Sequence, residues 1–275
     1  MGINFRTYNP RCIVVVGSRL VHTIPGESHV SALTVLNNEL YVLLSKQPID
    51  IYSTADFTRL RQFTVPVAES SEILDMASCQ QKQCVYLPDL ADQCIHRIGA
   101  DESVCKWPVT GQPSKISVTP SSNVLVIFGD TADNVDKLML ISSENGECLR
   151  TIDPELPDPD DDMTMHHALQ LNDDLYAILH TTGVSYVNND GELLRSTDPD
   201  TDPMTFPSYM IADAGGFLFL TDVDVTAVII FDPSLDYVCD VAEGMVSRPC
   251  SLYFDEAVRR LYVGQMYGKI VVVQL

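Results

Sequence analysis

"SRLVHTIPG", residues 18–26, reads as a short strand running into a turn, and it has the shape of later stretches that end repeated units. Those are "RLRQFTVP" (59–66), "ECLRTIDP" (147–154) and "ELLRSTDP" (192–199), each closing a unit of about forty residues. Residues 18–26 close no unit of their own. The other end of the chain supplies the counterpart. Its last unit runs "CSLYFD" (250–255), "RLYVGQ" (260–265) and "KIVVVQL" (269–275), one strand short of the others. Laying 19–24 beside 270–274 completes that unit with a strand from the opposite terminus. The sequence therefore predicts a closed ring, in which no terminal unit is left with an unpaired strand edge.

The unit occurs six times. Its marker is an apolar phrase with Tyr or Leu third: "ELYV" (39), "CVYL" (84), "NVLV" (123), "DLYA" (174), "GFLF" (216) and "RLYV" (260). One alternating apolar run precedes each phrase and another follows it. The runs are short, rich in Val, Ile, Leu and Tyr, and bounded by Asn, Asp, Gly and Pro, with no sustained helical period. Four short antiparallel strands per forty-odd residues is the pattern of a propeller blade. The fold class expected is all-β: a six-bladed β-propeller of four-stranded antiparallel blades, closed by an N-terminal strand. A single domain, 1–275, is expected, with blades at 31–66, 72–109, 113–153, 164–198, 207–243 and 249–275. Segment 1–26 carries the closing strand at 18–26. Tyr41, Tyr86, Tyr176 and Tyr262 take equivalent places and are expected to pack between blades.

Certain residues resemble the NHL-type six-bladed propellers, which cap TRIM proteins and also occur as stand-alone proteins. They are an Asp after the second strand in "YLPDLAD" (Asp89), "IFGDTAD" (Asp130) and "FLTDVDV" (Asp222), a basic residue in "CIHRI" (Arg97), and a Pro entering the first strand (Pro113, Pro207, Pro249). Blades one, four and six lack the Asp. The resemblance covers nearly the whole chain and is more specific for fold than for role. WD40 propellers fit less well, because no Gly-His or Trp-Asp pair marks the blades and Trp107 is the one tryptophan.

Charge limits the partners. Seventeen basic residues against 38 acidic ones give a net charge of −21, and no Lys/Arg cluster interrupts it, so nucleic acid is not expected. No apolar run approaches the eighteen or so residues of a membrane span, and the first residues lack a signal-peptide core. Eight cysteines show no C-x-x-C pair, and no N-x-S/T sequon occurs. The reading is a cytoplasmic monomer with reduced thiols. "CQQKQC" sets Cys79 and Cys84 on either side of a four-residue turn, where they can face each other across a hairpin.

In such a ring the connections between blades, and those between second and third strands, share the top face. Two inter-blade connections are strongly acidic: "DPELPDPDDD" (153–162) and "DPDTDP" (198–203). Asp153, Glu155, Asp158, Asp160, Asp161, Asp162, Asp198, Asp200 and Asp202 are therefore candidate partner-binding residues for a protein or basic peptide. Calcium is a possible ligand of such loops, but no D-x-D-x-D-G motif is present; no other cofactor is expected and the metal is left unknown. "MTMHHALQL" puts His166 and His167 at the channel mouth with Asp75. Strand neighbours point opposite ways, so at most one of the two histidines is expected to face the channel. No nucleophile elbow, metalloprotease motif or phosphate loop occurs. The expected function is a non-enzymatic interaction module presenting an acidic top face. The alternative is a calcium-dependent propeller hydrolase or lactonase.

Overall fold

A computed structural model describes residues 18–45, 48–67, 71–129, 136–157, 164–198 and 204–275. Among these residues there is no helix. Twenty-four strands form six four-stranded antiparallel sheets. The first strand, β1 (Arg19–Ile24), stands apart from the blade that follows it. Blade one is β2 (Val30–Leu36), β3 (Glu39–Leu44), β4 (Ile49–Ser53) and β5 (Arg59–Phe63), and blade two is β6 (Ala77–Cys79), β7 (Cys84–Asp89), β8 (Cys94–Gly99) and β9 (Val104–Pro108). Blade three holds β10 (Gln112–Val118), β11 (Val124–Gly129), β12 (Asp136–Ile141) and β13 (Cys148–Ile152). Blade four holds β14 (Met165–Asn172), β15 (Leu175–His180), β16 (Gly183–Val187) and β17 (Leu193–Ser196). Blade five follows with β18 (Pro207–Ala212), β19 (Leu218–Asp222), β20 (Val228–Phe231) and β21 (Tyr237–Val241), and blade six with β22 (Pro249–Asp255), β23 (Arg260–Gln265) and β24 (Ile270–Gln274).

The innermost strands touch in the cyclic order β2, β6, β10, β14, β18, β22 and back to β2, which makes the six sheets a ring around an axis. The closure expected from the sequence is present. Strand β1 pairs antiparallel with β24, from Arg19 opposite Gln274 to Ile24 opposite Ile270, with Val21 as a bulge. Ile24 enters a cluster with Val30, Leu33, Tyr262 and Val272, so the closing strand joins blade six to blade one.

Local chemistry explains the tight hairpins. Leu36 pairs with Glu39, leaving Asn37 and Asn38 as a two-residue loop with φ of 52° and 63°. Asn tolerates that left-handed backbone, and the resulting turn matches the twist of the strands it joins. The apolar marker residues fill the space between blades: Tyr86, Tyr176 and Tyr262 are fully buried, and Tyr41 nearly so. At the perimeter, Arg61 bridges Glu39 of its own blade and Glu102 of blade two, and Arg195 reaches Asp236 of blade five. These exposed pairs add little energy each, but they show outer strands leaning onto the next blade's turn.

One irregularity positions the axial side chains. Five of the six inner strands shift register near their first residue, leaving Ser31, Ser114, His166, Ser208 and Cys250 as bulged residues. A bulge re-aims the side chains on either side of it.

Candidate functional site

The openings of the inner strands converge on a cavity of about 420 Å³ at the top of the axis. Bulged Ser31, His166, Ser208 and Cys250 contribute to its wall, and Lys115 reaches in from blade three. Apolar residues from the connecting loops complete it, including Leu74, Val223 and Met266, and Phe206 stands 64% exposed at its edge. Among the described residues that line the cavity, Lys115 is the one lysine or arginine. Its charge adds to burial in holding the His29 and His166 imidazoles below the ordinary histidine range.

Beneath the mouth lies a second cavity of about 200 Å³, lined by His167 and Tyr209 and sharing no lining residue with the first. Between them Asp75 is fully buried. Its Oδ1 accepts the Met76 N–H at 2.8 Å, its Oδ2 accepts the Ile116 N–H at 2.8 Å, and the buried Tyr209 hydroxyl is near enough to be held well above its ordinary range, by burial first and then by this carboxylate. Burial raises this carboxyl to about 6, against the opposing pull of Lys115 and of the backbone donors. His167 Nε2 is 3.9 Å from Asp75 Oδ2, too far for a hydrogen bond, and both ring nitrogens are buried without a hydrogen-bond partner. The ring lies against Tyr209, centroids 4.1 Å apart. Burial first, then Lys115, pushes His167 down to about 3, so it is neutral across the physiological range.

Alternation along β14 leads to the expectation that only one of His166 and His167 turns to the axis. The structure brings both there, His166 to the mouth and His167 to the cavity below, because the bulge between Met165 and His167 interrupts the two-residue period. His29, Lys115 and Cys250 were not among the sequence candidates. Their signal was positional: each sits near the opening of an inner strand, in "HVSALT", "PSKIS" and "PCSLY".

Chemically, the axis offers a pocket that suits an apolar or anionic group. Among the described residues that line or seal it, Asp75 is the one carboxylate. Both of its oxygens are already bonded, and Lys115 stands near enough to perturb its titration. A neutral imidazole with so low a pKa is a poor general base near pH 7, where a matched value is needed.

The described acidic candidates line neither cavity. Asp153, Glu155 and Asp198 are exposed. Asp153 Oδ2 is 4.0 Å from Lys137 Nζ, and the Glu155 N–H donates to the Gly191 carbonyl at 2.8 Å. Gly191 belongs to the turn between β16 and β17, so this connection starts along the outer wall beside blade four. Asp158, Asp160, Asp161, Asp162, Asp200 and Asp202 lie outside the described residues, as does Asp130 of the NHL-like set. Asp89 and Asp222 do equivalent work. Each binds N–H groups of the connection entering its blade, Asp89 that of Glu72 and Asp222 those of Thr205 and Phe206.

No known protein-family model matches the chain, and no curated protein matches it by sequence. Solved structures do match in fold. Virginiamycin B lyase from Staphylococcus aureus superposes with a TM-score of 0.68 at 13% identity, covering 94% of this chain and 100% of that one. A catalytically inactive form of that lyase with quinupristin gives 0.67 at 12% identity over 94% and 99%. A protein of unknown function from Bacteroides caccae gives 0.65 at 14% identity over 82% and 81%. At these identities the likeness establishes the six-bladed propeller and nothing finer.

Proposed function

We propose that this protein is a non-enzymatic, partner-binding propeller of the NHL type, acting as a monomer in the cytoplasm. A segment of a protein, or a basic peptide, crosses the acidic connections at 153–162 and 198–203 and inserts one apolar side chain into the mouth of the axis. The observation that carries this reading is the mouth itself: an open cavity of about 420 Å³ edged by exposed Phe206 and Leu74 in a chain of net charge −21. An apolar anchor in a pocket, ringed by charge that steers the approach, is how small interaction surfaces gain both affinity and on-rate. The shared role of Asp89 and Asp222 supports the NHL subtype.

The calcium-dependent hydrolase draws less support. Calcium seeks six to eight oxygens, whereas the described axial residues bring one saturated carboxylate beside a lysine. The lyase activity named for a structural neighbour does not carry over on fold alone.

Selection of displayed peptides against the full chain tests the proposal. Binders are expected to carry basic residues flanking an apolar one. Their affinity should fall at least ~10-fold between low and moderate salt, because exposed charges are screened beyond about 8 Å. Phe206→Ala, and Asp→Asn changes at 158, 160, 161, 162, 200 and 202, should each weaken them. Selected peptides indifferent to both variants, or calcium-dependent lactone hydrolysis by the wild type, would overturn it.

A further inference from the structure

A second group of residues, away from the axis, has the chemistry of a metal site. It lies in the β7–β8 hairpin of blade two, written in sequence as D-x-x-D-x-C-x-H. Asp89 ends β7 and pairs with Cys94, the first residue of β8. His96 follows two residues on and so projects to the same face as Cys94. Asp92 sits in the intervening turn. One potential ligand atom from each of the four residues lies within 4.8 Å of all the others. Asp89, Cys94 and His96 are buried, and Asp92 is partly exposed, which leaves an entry path.

The spacing suits a small tetrahedral ion. His96 Nε2 is 3.2 Å from Asp89 Oδ2 and 3.4 Å from Cys94 Sγ. Bond lengths typical of zinc imply tetrahedral edges of about 3.3 Å for N to O and about 3.6 Å for N to S. Thiolate and imidazole donors select zinc-like cations over calcium and magnesium, which prefer oxygen. Lys106 Nζ, 2.7 Å from Asp92 Oδ2, adds a positive charge, so that a divalent ion and this lysine together balance two carboxylates and a thiolate.

Blade five serves as an internal control. There Asp222 gives both oxygens to backbone donors: Oδ2 to Thr205 and Phe206, and Oδ1 to Asp224. Asp89 holds the N–H groups of Glu72 and Asp92 through Oδ1 alone and keeps Oδ2 toward His96. Tying down the loop therefore requires neither the cysteine nor the histidine.

We infer that Asp89, Asp92, Cys94 and His96 form a structural site for a zinc-type divalent cation, fastening the top hairpin of blade two. Titration of the chelator-treated full chain with Co²⁺, then Zn²⁺, tests it. One equivalent of Co²⁺ should produce tetrahedral d–d absorption and a thiolate-to-metal charge-transfer band, both removed by Zn²⁺. Cys94→Ser should abolish the charge-transfer band, and His96→Gln should weaken binding by at least ~100-fold, more than loss of an outer-shell contact costs. Cys148→Ser, at an exposed thiol, should change neither. If Cys94→Ser does not fold, Asp92→Asn carries the test at a partly exposed position: the band should persist with weaker affinity. Absence of the band in the wild type, its survival in Cys94→Ser, or wild-type affinity in Asp92→Asn would overturn the assignment.

Discussion

Removing residues 1–26 should come close to abolishing the fold, and the reason lies in the backbone. Of the closing strand's side chains only Ile24 is buried, at 3% exposure, while Arg19, Leu20, His22 and Thr23 face solvent. Its contribution is therefore mostly the ladder to β24, five register pairs from Arg19 to Ile24. At about 1 kcal/mol net per hydrogen bond the ladder amounts to roughly 5 kcal/mol. Burial of Ile24 adds about 2 kcal/mol. That sum approaches the roughly 5–15 kcal/mol by which ordinary proteins are stable. The deletion also uncovers β24 as an apolar edge, Val271, Val272 and Val273 all being buried, so association should accompany destabilisation. Ile24→Ala alone should cost about 2–4 kcal/mol by leaving a hole in the cluster with Tyr262 and Val272. Leu20→Ala, on the exposed face, should cost within about 0.5 kcal/mol. Calorimetry and light scattering across the three variants decide the matter. A deletion variant that stays monomeric and melts within a few degrees of wild type would refute this account of the ring.

Two further outcomes follow from buried titratable and thiol groups. Burial lowers His167 to about 3 and His180 to about 4, so both fold neutral; the stability they contribute is complete above about pH 6.5 and is lost as pH falls toward those values. Asp75, raised to about 6, acts in the opposite sense: its contribution is present below about pH 4 and lost as pH rises through 6. In urea unfolding between pH 7 and 4.5, His167→Phe should remove about 2 kcal/mol of the acid-side loss and Asp75→Asn should steepen that loss; an unchanged slope in His167→Phe would refute the first. Cys79 and Cys84 are cross-strand partners, unlinked in the structure, and the proposed cytoplasmic setting, being reducing, would leave them so. Thiol titration in denaturant without reductant should count all eight cysteines, and a count of six would contradict the cytoplasmic reading.

The ring was legible because its information is local and periodic. Each blade repeats a marker residue about every forty positions, and the orphan strand at 18–26 matches the missing partner of 270–274, so one-dimensional pattern was enough to pair them. The axial site is assembled differently. Lys115, His166 and Cys250 come from three blades and meet because each opens an inner strand. Which of two adjacent residues turns inward depends on a bulge, and a bulge adds a residue without any composition of its own: Ser, His and Cys all occupy that place here. That is why alternation misjudged His166 and His167. Twist had a similar effect on the acidic connection. Position in the chain assigned Asp153 and Glu155 to the top, yet the accumulated twist of a four-stranded blade carries the end of its outer strand sideways, to where Glu155 meets Gly191 of the next blade. Charge brought to that boundary stands at the outer wall and not over the axis. A partner that reaches both the wall and the mouth must therefore span the top of blade four. The side chains it would cross include His166, which burial and then Lys115 hold below the ordinary histidine range, so the basic part of such a partner belongs over the acidic wall and its apolar part at the mouth beside Lys115.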